Sequence, residues 1–331
     1  MQPSIAIITT VYNEDVLLPI WLRYYGAHLG REHLYVIDDG SNDGSTTGLD
    51  GVNVIRLERA PIDQDSRAFT VSLFHREMLK HYDVVIFTDV DEFLVVDPLV
   101  KLGLADYIGK HAGAHTNAIG FDVIHNQFDE AIYSPDLGVF RQRRYLKFTR
   151  AYCKQLIHRE PVLWMPGFHY TNMSRSPGVG LYLFHLRAVD YELSRRRINN
   201  RNKLAWSERS LRKGQGAQNR LDEAEYLRAH HLDSRDLFQT AAAEGAFQTV
   251  AVRAAQLIGS QLQNTDPQFG PLETPLLTLP TRFRDALPPV SGTEIADAQR
   301  GPAKVPAAEA QRLYLETRDT VIRKQLRFGE E

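Results

Sequence analysis

Two aspartates one residue apart, Asp89 and Asp91, follow directly on the apolar run of residues 84–88. Side chains two apart on an extended segment leave the backbone on one side, so both carboxylates can face one ligand. Two converging carboxylates repel unless a cation lies between them. An all-oxygen ligand pair of this kind suits Mg2+ or Mn2+, the ions that accompany diphosphates. A blander reading stands beside this one, in which one aspartate caps the next segment and the other is solvated. The apolar strand before the pair, and the acidic residues that end the other strands, favour the ligand reading.

A second acidic set is Asp38-Asp39-Gly40-Ser41, and a third is Val11-Tyr12-Asn13-Glu14. Asp and Gly together make a tight turn, so Asp38 and Asp39 serve either as turn residues or as partners of a nucleobase or ribose. Asn13 and Glu14 are open in the same way, as the start of a helix or as nucleotide contacts.

The elements that must position these groups are short apolar runs at residues 5–10, 34–38, 52–56 and 84–88. They are continuous rather than alternating, the pattern of parallel strands covered on both faces. Leu17, Ile20, Trp21, Tyr24 and His28 recur at helical spacing between the first two runs, and residues 66–81 form a second helix. The expected class is α/β, a mostly parallel central sheet with helices on both faces and a helical C-terminal extension. Ligands in such sheets collect beyond the carboxyl ends of the strands, where the three acidic sets stand.

Residues 117–186 read as mixed and strand-rich, and 189–263 as mainly helical, with a basic run from Arg195 to Lys203. That run suits an anionic acceptor or, as the default, a solvated helix face. Alanine-rich stretches near 241–258 read as helix packing, inside the fold or between subunits. Residues 264–306 are proline-rich and polar, a linker, and a last helix is expected over 307–326. With 43% hydrophobic and 24% charged residues the chain is ordinarily globular, and a net charge of −2 gives no reason to expect nucleic acid. One cysteine, Cys153, excludes an internal disulfide and fits a reducing compartment. Residues 5–8 are too short an apolar stretch for a signal sequence or a membrane span. The expected location is the cytoplasm, with peripheral contact at the inner membrane face left open.

The ordered trio of Ile7-Ile8-Thr9-Thr10-Val11-Tyr12-Asn13-Glu14, Val36-Ile37-Asp38-Asp39-Gly40-Ser41 and Ile86-Phe87-Thr88-Asp89-Val90-Asp91-Glu92-Phe93-Leu94 resembles family 2-like glycosyltransferases. The D-V-D-E-F-L form is closest to the branch related to family 92. The resemblance is firm over residues 1–100 and loose over 100–190. It implies a GT-A fold with a catalytic domain over 1–190, whose first hundred residues bind nucleotide and whose remainder supplies acceptor and metal contacts. Residues 191–331 would be the extension. It also implies a sugar-nucleotide donor, with a UDP-sugar named first, a glycan or lipid-linked acceptor, and an inverting, metal-dependent reaction in cell-surface glycan synthesis.

By that carry-over Val11 and Glu14 lie near the base, Asp39 contacts base or ribose, Asp89 approaches ribose or metal, and Asp91 binds the metal. A late histidine completes such sites, and both His185, in Leu183-Phe184-His185-Leu186-Arg187, and His169 qualify. Gln64, Arg67 and His75 fall where donor contacts are expected, Arg67 as a phosphate partner or simply a surface residue. Lys154 and Arg159 resemble the basic strand before the late histidine. The general base is sought among Asp122, Asp129 and Glu130, with Asp122 first. A haloacid-dehalogenase-like phosphohydrolase is the rival enzyme, although Phe93 stands where that family wants Thr or Val. A nucleotidyltransferase would open on a glycine-rich basic loop, missing after residue 10. A non-catalytic nucleotide or glycan binder is the third reading.

Overall fold

A computed structural model describes residues 2–259, 274–291 and 296–328. Residues 264–273 and 292–295 of the expected linker lie outside the described residues. The strands are β1 (Ile5–Val11), β2 (Leu34–Asp38), β3 (Asn53–Arg56), β4 (Val84–Phe87), β5 (Glu92–Val96), β6 (His115–Ile124), β7 (Tyr145–Phe148), β8 (Gln155–His158), β9 (Pro177–Ala188) and β10 (Leu277–Thr278). The helices are α1 (Leu17–Leu29), α2 (Gln64–Met78), α3 (Leu104–His111), α4 (Val139–Gln142), α5 (Tyr191–Arg201), α6 (Glu208–Arg212), α7 (Glu223–Ala229), α8 (Arg235–Gln239), α9 (Ala246–Gly259) and α10 (Ala307–Phe328).

The class is α/β, as the continuous apolar runs predict. All seven residues of β1 are buried, because both faces of the sheet are covered. Ile5, Ile7 and Val11 pack with Trp21, Tyr24 and Tyr25 of α1. The alternate residues Ala6 and Ile8 pack with Ala68, Val71 and Phe74 of α2 and Tyr314 of α10. The last helix is thus part of the layer that covers the strands of the first hundred residues, where Gln311 exchanges hydrogen bonds with the backbone of Arg56 (2.7 and 2.9 Å).

The central strands β3, β2, β1 and β4 are parallel. β8, β6, β7 and β10 extend the sheet beyond β4 with antiparallel neighbours. Register then brings the acidic sets together. Val11 stands opposite Asp38, and Ile8 opposite Phe87, so the residues following β1, β2 and β4 leave the same edge. A second set of pairings supplies partners from far along the chain. β5 runs antiparallel to β9 with Glu92 opposite His185, and β6 runs parallel to β9 with Asp122 opposite His185. β8 lies antiparallel to β4 with Ile86 opposite Ile157, which carries the preceding residue Lys154 to the Asp89 end.

Gly120 of β6 lets the 150–152 turn lie directly on the strand. A Cβ there would stand 2.3 Å from the Tyr152 carbonyl carbon, closer than any packing allows. Among the described residues no helix is long and apolar enough to cross a membrane.

Candidate functional site

A cleft of about 460 Å3 opens at the carboxyl edge of the parallel strands, lined by residues of all three acidic sets and by side chains from beyond residue 150. At one end lie Val11, Tyr12, Asp39 and Arg59. Arg59 pairs with the Asp39 carboxylate and lies over the Tyr12 ring at 4.1 Å. Burial pushes Asp39 up from the ordinary carboxylate value and the Arg59 charge pulls it back. Asp38 has a different task. It is buried, accepts from the Ser41 amide (2.8 Å) and the Thr46 hydroxyl (2.7 Å), and pairs with Arg56 (3.0 Å). Asp38 therefore builds the turn that presents Asp39. Asn13, with φ of 53°, exchanges amide hydrogen bonds with Asn42 at 2.9 Å each, tying the ends of β1 and β2. It borders a smaller recess of about 160 Å3 beside the cleft.

The two aspartates are held by different sets of cations. Asp89 Oδ2 accepts from Lys154 Nζ at 3.1 Å, and Arg67 lies 3.9 Å from Oδ1. Lys154, almost fully buried, also reaches Glu92 Oε1 at 2.5 Å. Arg67 itself donates to Thr10 Oγ1. Asp91 Oδ2 accepts from Arg197 Nη2 at 2.9 Å, and the same guanidinium holds Glu14 Oε1 at 2.8 Å. Burial would raise Asp91, but the Arg197 charge overcomes it and holds the carboxyl well below its usual range. Glu14 is raised, burial outweighing Arg197.

His185 meets the other Asp91 oxygen. Its Nδ1–H donates to Asp122 Oδ1 at 2.7 Å, and its Nε2 lies 3.6 Å from Asp91 Oδ1. Burial opposes the imidazolium, but Asp91 and the Asp122 bond prevail and lift its pKa to about 9. Asp122 also accepts from Thr149 (2.6 Å), so its carboxylate is committed to orienting the histidine. Tyr152 lies against the imidazole with ring centroids 4.0 Å apart.

This arrangement fits a small divalent ion. A carboxylate that fixes one imidazole nitrogen while the other faces a ligand is the usual support of a metal-bound histidine. The 3.6 Å gap is close to the roughly 3–3.5 Å that separates two ligands of one such ion. Among the described residues no group of three or more His, Cys, Asp or Glu stands ready to hold a metal. Two protein ligands, with substrate oxygens and water completing the shell, is a common Mg2+ arrangement.

His169 reaches the cleft from a loop with left-handed backbone at Gly167 (φ 85°) and Phe168 (φ 59°). For a bulky residue such a φ is strained, and it is sustained by Phe168 packing on Phe87 at 4.4 Å. The Nδ1–H of His169 donates to the Ala151 carbonyl (2.9 Å), leaving Nε2 as the lone-pair nitrogen. Burial first, then Lys154, push its pKa down to about 4.

Asp129 and Glu130 stand elsewhere. Glu130 accepts from the amides of Asn126 (3.0 Å) and Arg144 (2.8 Å), and Asp129 pairs with Arg144, so both close a turn after β6. His75 is buried against Trp164 and His158 and lies under the sheet rather than in the cleft. Arg159, just after β8, donates to the Ile108 carbonyl of α3 (2.9 Å) and does not line the cleft. Gln64 lines the cleft.

The basic run departs from the solvated face expected of it. Arg195 pairs with Glu223 (2.6 Å) and Arg196 with Asp15 (2.6 Å), while Arg197 and Arg201 line the cleft with Arg187 of β9. Arg201 is pushed down to about 10 by burial and by the neighbouring charges of Arg197 and Arg187. The only sequence signal for this was the four-residue spacing of Arg197 and Arg201, which puts them on one helix face.

No family model matches the chain, and no curated protein matches it. Among solved structures, the mannosyltransferase PcManGT from Pyrobaculum calidifontis, in complex with GDP-Man and Mn2+, is 18% identical over 38% of this chain, with a TM-score of 0.24. The chain spans only 36% of that protein's length. The mannose-1-phosphate geranyltransferase from Thermus thermophilus is 10% identical over 83% of this chain and 74% of its own, with a TM-score of 0.27. Both are transferases by name, and both likenesses are too weak to carry their activities over to this chain.

Proposed function

We propose that the protein is a glycosyltransferase that moves a sugar from a nucleotide diphosphate donor to an acceptor hydroxyl. The observation that carries this reading is the cleft at the carboxyl edge of β1, β2 and β4. There an aromatic, acidic end (Tyr12, Asp39) adjoins a centre of alternating carboxylates and cations (Asp89, Asp91, Lys154, Arg197). The first suits a nucleoside, whose ribose hydroxyls donate to a carboxylate. The second suits a diphosphate, whose oxygens exchange for the internal partners of the cations.

Asp91 and His185 would hold Mn2+ or Mg2+, which supplies charge neutralisation of the diphosphate leaving group when bound. The chain's own groups do the rest. Asp122 keeps the His185 imidazole oriented. Lys154 and Arg197, themselves buried, compensate negative charge from positions where such contacts are strong. In an inverting displacement the acceptor oxygen bonds to the anomeric carbon as the bond to the diphosphate breaks, and the hydroxyl proton must pass to a base. Asp122 is engaged by His185 and Thr149. His169, whose Nε2 is free of the Ala151 bond, takes that proton in our reading.

The test is a thermal-shift screen of UDP- and GDP-sugars with and without Mn2+. At a donor concentration tenfold above Kd the gain should be about 1.4 kcal/mol. Mn2+ should enlarge that gain, and the metal-dependent part should vanish in Asp91→Ala. Stabilisation by no sugar nucleotide, together with hydrolysis of a phosphomonoester, would replace this reading with the phosphohydrolase one.

A further inference from the structure

Three arginines line the cleft from the C-terminal part of the chain: Arg187 of β9, and Arg197 and Arg201 of α5. Arg187 is two residues beyond His185, on the same side of its strand. Arg197 and Arg201 are one helical turn apart. Like charges gathered this way repel, and the carboxylates nearby do not satisfy them. Arg197 donates through Nε and Nη2 to Glu14 and through Nη2 to Asp91, while its Nη1 is buried with no hydrogen-bond partner. It is 6% exposed, so water does not make up the deficit. Arg187 donates through Nη2 to Asn219, and its Nε is also buried without a partner. The guanidinium of Arg201 makes no hydrogen bond or ion pair with the described residues.

Buried donors in native proteins are nearly always paired, and an absent ion is one of the few things that accounts for an unpaired one. Two orphaned donor nitrogens and one unpaired guanidinium ask for an anion with several oxygens, because each fork takes two acceptors in one plane. A carboxylate offers two oxygens; a phosphate or diphosphate offers enough for all three arginines.

We propose that Arg187, Arg197 and Arg201 form a phosphate site that grips its anion directly, through protein cations and in addition to any ion held by Asp91 and His185. The phosphate has two sources in this cleft, the diphosphate of the donor and a phosphate carried by the acceptor. The site does not depend on the transferase reading; only the naming of those two sources rests on it.

The experiment is calorimetric titration of the full chain with inorganic pyrophosphate in EDTA. Binding is expected without metal, and Arg201→Gln and Arg187→Gln should each weaken it about tenfold or more. Arg201→Lys keeps the charge but loses the fork, and should fall between. Arg196→Gln removes a neighbouring positive charge that is paired outward with Asp15, and should bind as the parent does. Unchanged thermal unfolding of each variant shows that it folds. No binding in EDTA overturns the proposal, as does parental affinity in both glutamine variants or an equal loss in Arg196→Gln.

UDP and GDP then identify the source. If they compete with pyrophosphate and lose affinity in Arg201→Gln, the phosphate is the donor's. If they bind unchanged while glucose 6-phosphate competes, it is the acceptor's. Pyrophosphate binding in a protein that no sugar nucleotide stabilises would uphold the site and discard the transferase reading.

Discussion

Replacing Lys154 by methionine tests whether the acidic tip is held by its internal cations. Lys154 is 1% exposed and reaches Glu92, which is 0% exposed, at 2.5 Å and Asp89 at 3.1 Å. Methionine keeps most of the volume and removes the charge, stranding Glu92 and leaving Asp89 only the more distant Arg67. Removing one member of a buried pair costs about 3–5 kcal/mol, a large share of the roughly 5–15 kcal/mol that folds a domain. Urea unfolding followed by circular dichroism at pH 8 should show that loss.

The pH dependence of Lys154→Met has a definite sign. Burial pushes Glu92 above its ordinary value, while Lys154 pulls it down. Without the lysine the carboxyl rises further. A folded value above the unfolded one gives stability that is present at low pH and lost as pH rises through the folded value. The variant should therefore fall further behind the parent at pH 8 than at pH 6. Adding Glu92→Gln should recover more than half of the loss. A Lys154→Met protein within about 1 kcal/mol of the parent at pH 8 would refute the charge argument, as would a double variant no more stable than the single one.

Asp122→Ala should lower Mn2+ affinity about ten- to hundredfold, read by calorimetric metal titration in the presence of a nucleoside diphosphate; unchanged affinity would remove either His185 from the metal shell or Asp122 from its support. Acid should weaken the fold through the buried histidines beneath the sheet. His75 is pushed down to about 3 by burial, and His158 lies well below its ordinary value for the same first reason. Both are depressed, so the native state resists protonation, and stability is full above about pH 6.5 and falls as pH drops towards 3. Urea midpoints from pH 7 to pH 4 should decline, and less steeply in His75→Gln.

Much of the frame is local and so is readable in the chain. Continuous β-branched runs cannot be solvated on either face, which specifies covered parallel strands whatever their neighbours. The acidic sets follow those runs directly, so Asp39, Asp89 and Asp91 reach the sheet edge as a consequence of strand ends alone. Asp38 and Asp39 are identical in type and adjacent, and only the turn they make separates the builder from the residue that faces the cleft.

What answers those carboxylates came from far along the chain and was decided by register and packing. Arg197 sits 106 residues beyond Asp91 in a run that reads as a solvated face. Its burial follows from where β9 delivers α5. Lys154 meets Asp89 because β8 returns antiparallel to β4. Asp122, first choice for a base, is spoken for by His185 because β6 and β9 place the two side by side. A sequence states which charges exist, but their sign and type do not encode distance. Pairing between charges is settled only when strands lock into one register, since a slip of one residue would turn each of these side chains to the opposite face.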